Sequence, residues 1–140
     1  MKFSRYLYIK EKDESFYMRE EYEESFLDAY ITAALWSSID NDGNPLDDDY
    51  DVNNIDDKTA LKMKQDADRF QLDNHDLYTK GGWTDAQAGH DFWLTRNGHG
   101  AGFWDRSELD EEIGKELTSK CEEFGEFNLY IGDDGKIHGD

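Results

Sequence analysis

The sequence lacks long apolar runs and paired cysteines, and it is poor in basic residues. One cysteine in 140 residues leaves no partner for an internal disulfide bond, which is typical of proteins from reducing compartments. There is no run of 18 apolar residues and no signal-peptide hydrophobic region, so we expect neither membrane insertion nor secretion. These absences predict a cytoplasmic protein.

Acidic residues dominate the charge of the chain. Asp and Glu number 34 against 15 Lys and Arg, which gives a formal net charge of −19 at pH 7. This excess argues against direct binding to nucleic acid or to an anionic membrane. Highly charged chains can be disordered, but disordered chains are poor in aromatic residues, which make up 14% of this sequence. We therefore expect a folded chain with an aromatic core.

The density of carboxylates is close enough to that of DNA phosphates to suggest mimicry. A folded chain of 16.3 kDa exposes about 7,500 Å², or roughly 220 Å² per carboxylate if the acids are spread evenly. B-DNA exposes one phosphate per roughly 110 Å² of its cylinder. Gathering most acids on one side would match that density. The alternatives are solubility and adaptation to high salt. Salt-adapted proteins tend to lack lysine, yet Lys outnumbers Arg 10 to 5 here, which argues against the second alternative.

Apolar periodicity and turn signals predict an α+β fold of about four helices packed on a small antiparallel sheet of about three strands. A Thr84 and Gln87 capping box begins one helix at Asp85, and Gly89 within it is expected to admit another backbone or a large ring. A turn at Asp133-Asp134-Gly135 joins two of the strands. The expected helices span 25–39, 57–73, 85–96 and 107–124, the strands lie near 102–105, 126–131 and 136–138, and 74–82 is expected to be a connection. Residues 1–24 form an acidic, aromatic extension to a single domain at 25–140.

The segment from Trp83 to Arg106 contains three of the four tryptophans and two of the four histidines. It permits two interpretations. The first is a chemical site, and the second is a fold nucleus in which His90 is a buried core histidine and Asp91 or Arg96 satisfies turn backbone. A general base needs a partner and a pocket, and the sequence shows neither, so we favour the nucleus and expect no catalytic residue, no bound metal and no cofactor. The residues of the possible site are His90, Asp91, Arg96, Asn97 and His99.

Part of this segment carries a family resemblance. Residues 88–106, AGHDFWLTRNGHGAGFWDR, resemble a motif in small acidic proteins that tailed phages and mobile elements encode. The Ala34-Leu-Trp-Ser-Ser motif and the segment 125–135 are similar to other parts of the same proteins, so the resemblance covers about 26–137. That family has no assigned activity. The resemblance implies a phage protein acting in the host cytoplasm, and it transfers no catalytic residue.

Two acidic segments are candidates for a phosphate-mimicking surface. The first, 40–57, begins like a calcium-binding loop, but Pro45 replaces the required glycine and Asp51 replaces the bidentate glutamate. We therefore expect Asx turns there in preference to bound calcium. The second is the outer face of the helix predicted at 107–124. The candidate residues are Asp40, Asp42, Asp47, Asp48, Asp49, Asp51, Asp56 and Asp57 in the first segment and Glu108, Glu111, Glu112 and Glu116 in the second.

These observations favour a non-enzymatic function. The leading hypothesis is an acidic phage-encoded inhibitor, a DNA mimic that occupies the basic groove of a host or defence protein that binds nucleic acid. One alternative is a metal-binding or hydrolytic enzyme that uses His90, Asp91 and His99, with Asp105 nearby in sequence. The zinc spacings Cys-x-x-Cys and His-Glu-x-x-His are absent, which disfavours it. The other alternative is an adaptor that docks a partner through aromatic residues in 1–10.

Overall fold

The structure is a computed structural model that describes residues 24–140, so the N-terminal extension expected at 1–24 lies outside the described residues except for its last one. An α+β fold with mostly helices is confirmed, but the described residues form a two-stranded antiparallel sheet and not a three-stranded one. No helix in the described range is long and apolar enough to cross a membrane. The elements are α1 Phe26–Ser37, α2 Asp57–Lys80, α3 Asp85–Arg96, α4 Glu111–Glu122, β1 Leu129–Ile131 and β2 Ile137–Gly139.

Helix α3 has the predicted bounds. The Thr84 hydroxyl accepts a hydrogen bond from the Gln87 amide at 3.0 Å, and the Gln87 side chain accepts one from the Thr84 amide at 3.0 Å. These two bonds are the predicted capping box. Gly89 lies against the first turn of α1, where a Cβ atom would collide with the carbonyl oxygen of Phe26. The expectation that Gly89 admits another backbone is therefore confirmed.

Helix α2 is longer than predicted. The polar run at 74–76 suggested a connection, yet the helix continues to Lys80 because its inner face remains buried at Asn74 and Tyr78. The Asn74 amide donates to the Phe70 carbonyl at 3.0 Å, which removes the cost of burying it. Gly81 then ends the helix.

The strand predicted at 102–105 is wrong. Residues Phe103–Asp105 form one turn of 3₁₀-helix after Gly102, whose φ of 156° and contact with Thr95 leave no room for a side chain. The Phe103 amide donates to the Thr95 hydroxyl at 3.0 Å, so it is not available for a hydrogen bond to a neighbouring β-strand. Helix α4 accordingly starts at Glu111 and not at Ser107, with the Asp110 carboxylate accepting from the amide of the third helical residue.

The core is aromatic, as predicted. Phe70 and Phe92 stack with ring centroids 4.2 Å apart, and Phe26 and Tyr30 pack on the same group. Burying each such side chain contributes about 1.5–3 kcal/mol relative to exposure. Trp36 follows Phe26 and Tyr30 at helical spacing, which predicts a buried side chain, but 44% of it is exposed and its ring centroid lies 6.0 Å from that of His90.

Helix α2 is the longest helix within residues 24–140. Its 24 residues span about 36 Å at 1.5 Å per residue. The hairpin packs at its first turn, where the Gly139 amide donates to the Thr59 hydroxyl at 3.2 Å. Helix α4 begins at its other end, where the Asp110 amide donates to the Gly81 carbonyl at 3.2 Å. The hairpin and the start of α4 therefore lie at opposite ends of α2.

Candidate acidic interaction surface

Three aspartates of the 40–57 segment hold their own backbone. One carboxylate oxygen of Asp40 accepts from the amides of Asp42 and Asn44, each at 2.9 Å. Asp51 accepts from the Asn53 amide at 2.8 Å, and Asp56 caps α2. These are the Asx turns that the sequence predicted. They fix the path of the chain around the acidic side chains.

The other aspartates of the segment face solvent. Residues 40–57 are anchored to the core by the buried side chains of Leu46, Val52 and Ile55, so the exposed side chains project from a fixed backbone. The exposed aspartates of this segment form no ion pair with a lysine, an arginine or a histidine of residues 24–140. These unpaired carboxylates belong to Asp42, Asp47, Asp48, Asp49 and Asp57.

The hairpin turn extends this surface. The Asp56 amide donates to the Ile137 carbonyl at 2.8 Å, which joins the end of the segment to β2. Asp134 is exposed in the turn, and the backbone amide of Lys136 and the imidazole of His138 lower the pKa of its carboxyl. We call the segment 40–57 together with Asp133 and Asp134 the acidic edge.

The structure does not join the second candidate group to the acidic edge. Glu108, Glu111, Glu112 and Glu116 are exposed, but they lie near or beyond Gly81, at the far end of α2. Two of them approach bases, since Glu112 lies 3.4 Å from Lys115 and Glu108 lies 3.8 Å from Arg106. Between the two groups, α2 presents Lys58, Lys62, Lys64, Arg69 and Lys80. The predicted acids therefore form two separate groups, one at the start of α2 and one toward its end.

Asp91, from the possible chemical site, lies in a buried hydrogen-bond network. Its carboxylate accepts from the Trp83 indole at 2.9 Å and from Arg106 at 2.6 and 3.0 Å, and it lies 3.2 Å from the His90 ring. Burial by itself would raise the pKa of Asp91, but the hydrogen bonds from His90, Arg106 and Trp83 hold it below the usual range. The bond to Asp91 in turn raises the pKa of Arg106. Neither oxygen of Asp91 is left for a substrate.

Arg96 is equally committed to the fold. Its guanidinium donates to the carbonyls of Phe124 at 3.2 Å and Gly125 at 2.8 Å, just beyond the end of α4. It also donates to the Tyr30 hydroxyl and the Asp66 carboxylate, each at 2.9 Å. Arg96 therefore satisfies turn backbone, as the nucleus interpretation expected, whereas Asp91 bonds only side chains.

Asn97 and the histidines complete this segment. Asn97 donates to the Trp93 carbonyl at 3.0 Å and accepts from the Phe127 amide at 2.8 Å. His90 is not the buried core histidine that was expected, because 35% of its side chain is exposed beside Trp36. His99 borders a cleft of about 270 Å³ next to Ser37. In the described chain, neither histidine joins Asp91 or Asp105 in a cluster of three potential metal ligands.

Such a cluster occurs elsewhere, at residues that sequence reasoning did not select. Ligand atoms of Asp56, Asp134 and His138 all lie within 4.8 Å of one another. The signal in the sequence is an aspartate in a hairpin turn with a histidine four residues later, since a tight turn brings such side chains together across the strands. The third residue, Asp56, is distant in sequence and could be found only from the fold.

Comparisons of the chain with models of protein families, with curated proteins and with solved structures give no match. The function therefore has to be argued from the side chains themselves.

Proposed function

We propose that this protein is an acidic inhibitor that competes with nucleic acid for the basic binding surface of a cytoplasmic protein. The observation that carries the proposal is the set of unpaired, exposed carboxylates on the acidic edge. The phage-like motif favours a host or defence protein as the target. Carboxylates would take the places of phosphates, and no nucleic acid, membrane or cofactor would take part.

The backbone of the acidic edge suits this role. Asp40, Asp51 and Asp56 fix the chain by accepting backbone amides, so little conformational freedom remains to be lost on binding. The neighbouring carboxylates are exposed and form no ion pair with a base within residues 24–140. Such a surface accelerates association with a basic partner and makes the affinity depend on salt.

The residues of the possible chemical site stabilise the fold and are not available to a ligand. Hydrogen bonds to other residues of the chain occupy the polar atoms of Asp91, Arg96 and Asn97. A catalytic group needs an atom that can reach a substrate. We therefore propose that the protein is not an enzyme.

The test compares two variants of equal net charge. The first carries Asp42→Asn, Asp47→Asn, Asp48→Asn and Asp49→Asn on the acidic edge, and the second carries Glu108→Gln, Glu111→Gln, Glu112→Gln and Glu116→Gln beside α4. Immobilised wild-type protein is used to capture a host protein from a fraction preselected on a duplex DNA column. The captured protein is purified, and its affinity for each variant is measured by displacement of fluorescent duplex DNA.

We expect the wild-type protein and DNA to exclude each other, with an affinity that falls steeply as salt rises. The acidic-edge variant should bind at least about tenfold more weakly, and the α4 variant less than about threefold more weakly, because steering depends on where charge lies. A ternary complex with DNA would contradict the proposal, as would an affinity that does not respond to salt. Equal losses in the two variants would show that total charge, and not the acidic edge, determines binding.

A further inference from the structure

Three segments of the chain bring potential metal ligands together at one end of α2. Asp56 precedes the helix, Asp134 lies in the hairpin turn, and His138 lies on β2. The His138 Nε2 atom lies 2.9 Å from one oxygen of Asp134, and its Nδ1 atom lies 3.9 Å from an oxygen of Asp56. The three side chains are each at least a quarter exposed, so a cation can reach them from solvent.

Local contacts hold each of these side chains in place. Asp56 accepts from the amides of Lys58 and Thr59 at 3.1 and 3.3 Å, and Asp134 accepts from the Lys136 amide at 3.0 Å. His138 stacks on Tyr130 with ring centroids 5.8 Å apart. A side chain at position 132 would collide with the His138 ring, since a Cβ on Gly132 would lie 2.5 Å from the Cδ2 atom of His138. The cluster is therefore organised before any ligand binds.

We propose that Asp56, Asp134 and His138 form a surface site for a divalent first-row transition metal such as Zn²⁺. One imidazole and two carboxylates are ligands that zinc accepts at about 2.0–2.2 Å. Calcium prefers oxygen ligands and six or more of them, so this set disfavours calcium. One ring nitrogen of His138 would bind the ion, and because Asp134 lies against Nε2 and Asp56 on the Nδ1 side, one of the two carboxylates has to reorient toward it. The remaining coordination positions face solvent.

The two ligand carboxylates supply the negative charge that attracts a cation, since the charged residues near them in sequence balance one another. Asp57 and Asp133 adjoin two of the ligands in sequence, and the nearest bases in sequence, Lys58 and Lys136, are both exposed and form no ion pair within residues 24–140. A bound ion would add a link between the hairpin and the start of α2, which the Asp56–Ile137 backbone bond and the Gly139–Thr59 bond already join. It would also lower the negative charge at this end of the acidic edge. The site does not depend on the proposed inhibitor function, because its ligands lie within one chain.

The test titrates chelator-treated full-length protein with ZnCl₂ in a calorimeter near neutral pH. We expect one saturable equivalent, and we expect His138→Gln and Asp134→Asn each to weaken it by more than about tenfold. Asp134 is exposed in a turn, so its variant tests the site without risk to the fold. Binding of Co²⁺ supplies a second readout, since its visible absorption reports nitrogen and oxygen coordination.

His75→Gln is the matched control. His75 also lies between two carboxylates, 3.6 Å from Asp76 and 3.7 Å from Asp85, but these three groups do not converge as a ligand cluster. We expect this variant to bind zinc like the wild type. Three results would overturn the proposal: no saturable zinc binding, equal weakening by His75→Gln, or calcium binding as tight as zinc binding.

Discussion

Carboxylates lie in opposite environments in two regions of the molecule: they are buried in the helical core and exposed on the acidic edge. In the core, Arg96 and Asp66 are almost fully buried, and they bond to each other at 2.9 Å. On the acidic edge, Asp47, Asp48 and Asp49 are exposed side by side with no ion pair within the described chain. The core charges are balanced by partners, whereas the edge charges repel one another.

This difference indicates where function should be sought. A buried charge without a partner is very costly. The fold itself therefore requires that Arg96 pairs with Asp66 and that Asp91 pairs with Arg106. An exposed cluster of like charges has no comparable structural reason, because it slightly destabilises the compact state. A role outside the fold is therefore a better explanation for the acidic edge than for the core network.

The largest effect is expected from breaking the core network. Arg96→Met removes the donor to Asp66, Tyr30 and two carbonyls, and it leaves the buried Asp66 carboxylate with Lys62 as its remaining ion-pair partner. We expect the free energy of unfolding to fall by about 3–5 kcal/mol. Urea denaturation followed by tryptophan fluorescence measures it.

Two further variants show whether that loss comes from the buried pair. Arg69 is an exposed arginine over the Phe124 ring, 4.3 Å from its centroid, and Arg69→Met should cost about 0.5–1 kcal/mol. Adding Asp66→Leu to Arg96→Met should restore part of the stability by removing a buried carboxylate that has lost its buried partner. If Arg96→Met costs no more than Arg69→Met, the network does not support the core as argued.

A smaller and pH-dependent effect is expected from Asp91. The folded state lowers the pKa of this carboxyl, so ionised Asp91 stabilises the protein fully above its unfolded value of about 3.9. That stabilisation is lost as the pH falls through the lower, folded-state value. We expect Asp91→Asn to cost about 1.5–3 kcal/mol at neutral pH, toward the lower end because Arg106 is 24% exposed.

The measurement compares urea denaturation of the wild type and Asp91→Asn from neutral pH down to about pH 3. The difference between the two proteins should shrink in the acid range. Asp68→Asn is the control, since Asp68 is an exposed partner of Lys64 and should contribute less than about 0.5 kcal/mol at any pH. A difference that stays constant as the pH falls would mean that the charge of Asp91 is not what stabilises the fold.

The sequence predicted local features well and long-range partners poorly. The bounds of α3 followed from Thr84, Gln87 and the helical periodicity, and the close approach at Gly89 followed from the cost of glycine in a helix. These signals lie within a few residues of their effects. The true end of α2 and the turn at Phe103–Asp105 depend on burial against other elements, so apolar patterns alone did not predict them.

The same limit applies to the candidate site. The charged residues of α2 predict a solvated outer face that includes Asp66, but Asp66 is buried and bonds to Arg96, which is 30 residues away in the sequence. The acidic edge was predicted as a loop of Asx turns because those bonds are local. Its separation from the glutamates near α4 follows from the length of α2 and from the packing at its two ends, neither of which the sequence predicted.

The smallest effect on stability is expected where the largest effect on binding is proposed. At moderate salt, the free energy of unfolding of the acidic-edge variant should lie within about 0.5 kcal/mol of the wild-type value. This variant carries Asp42→Asn, Asp47→Asn, Asp48→Asn and Asp49→Asn. At low salt it should be more stable than the wild type, because repulsion between the carboxylates is then least screened. Urea denaturation at low and high salt measures both. A loss above about 1 kcal/mol at every salt concentration would mean that these acids support the fold, and the contrast with the buried network would then disappear.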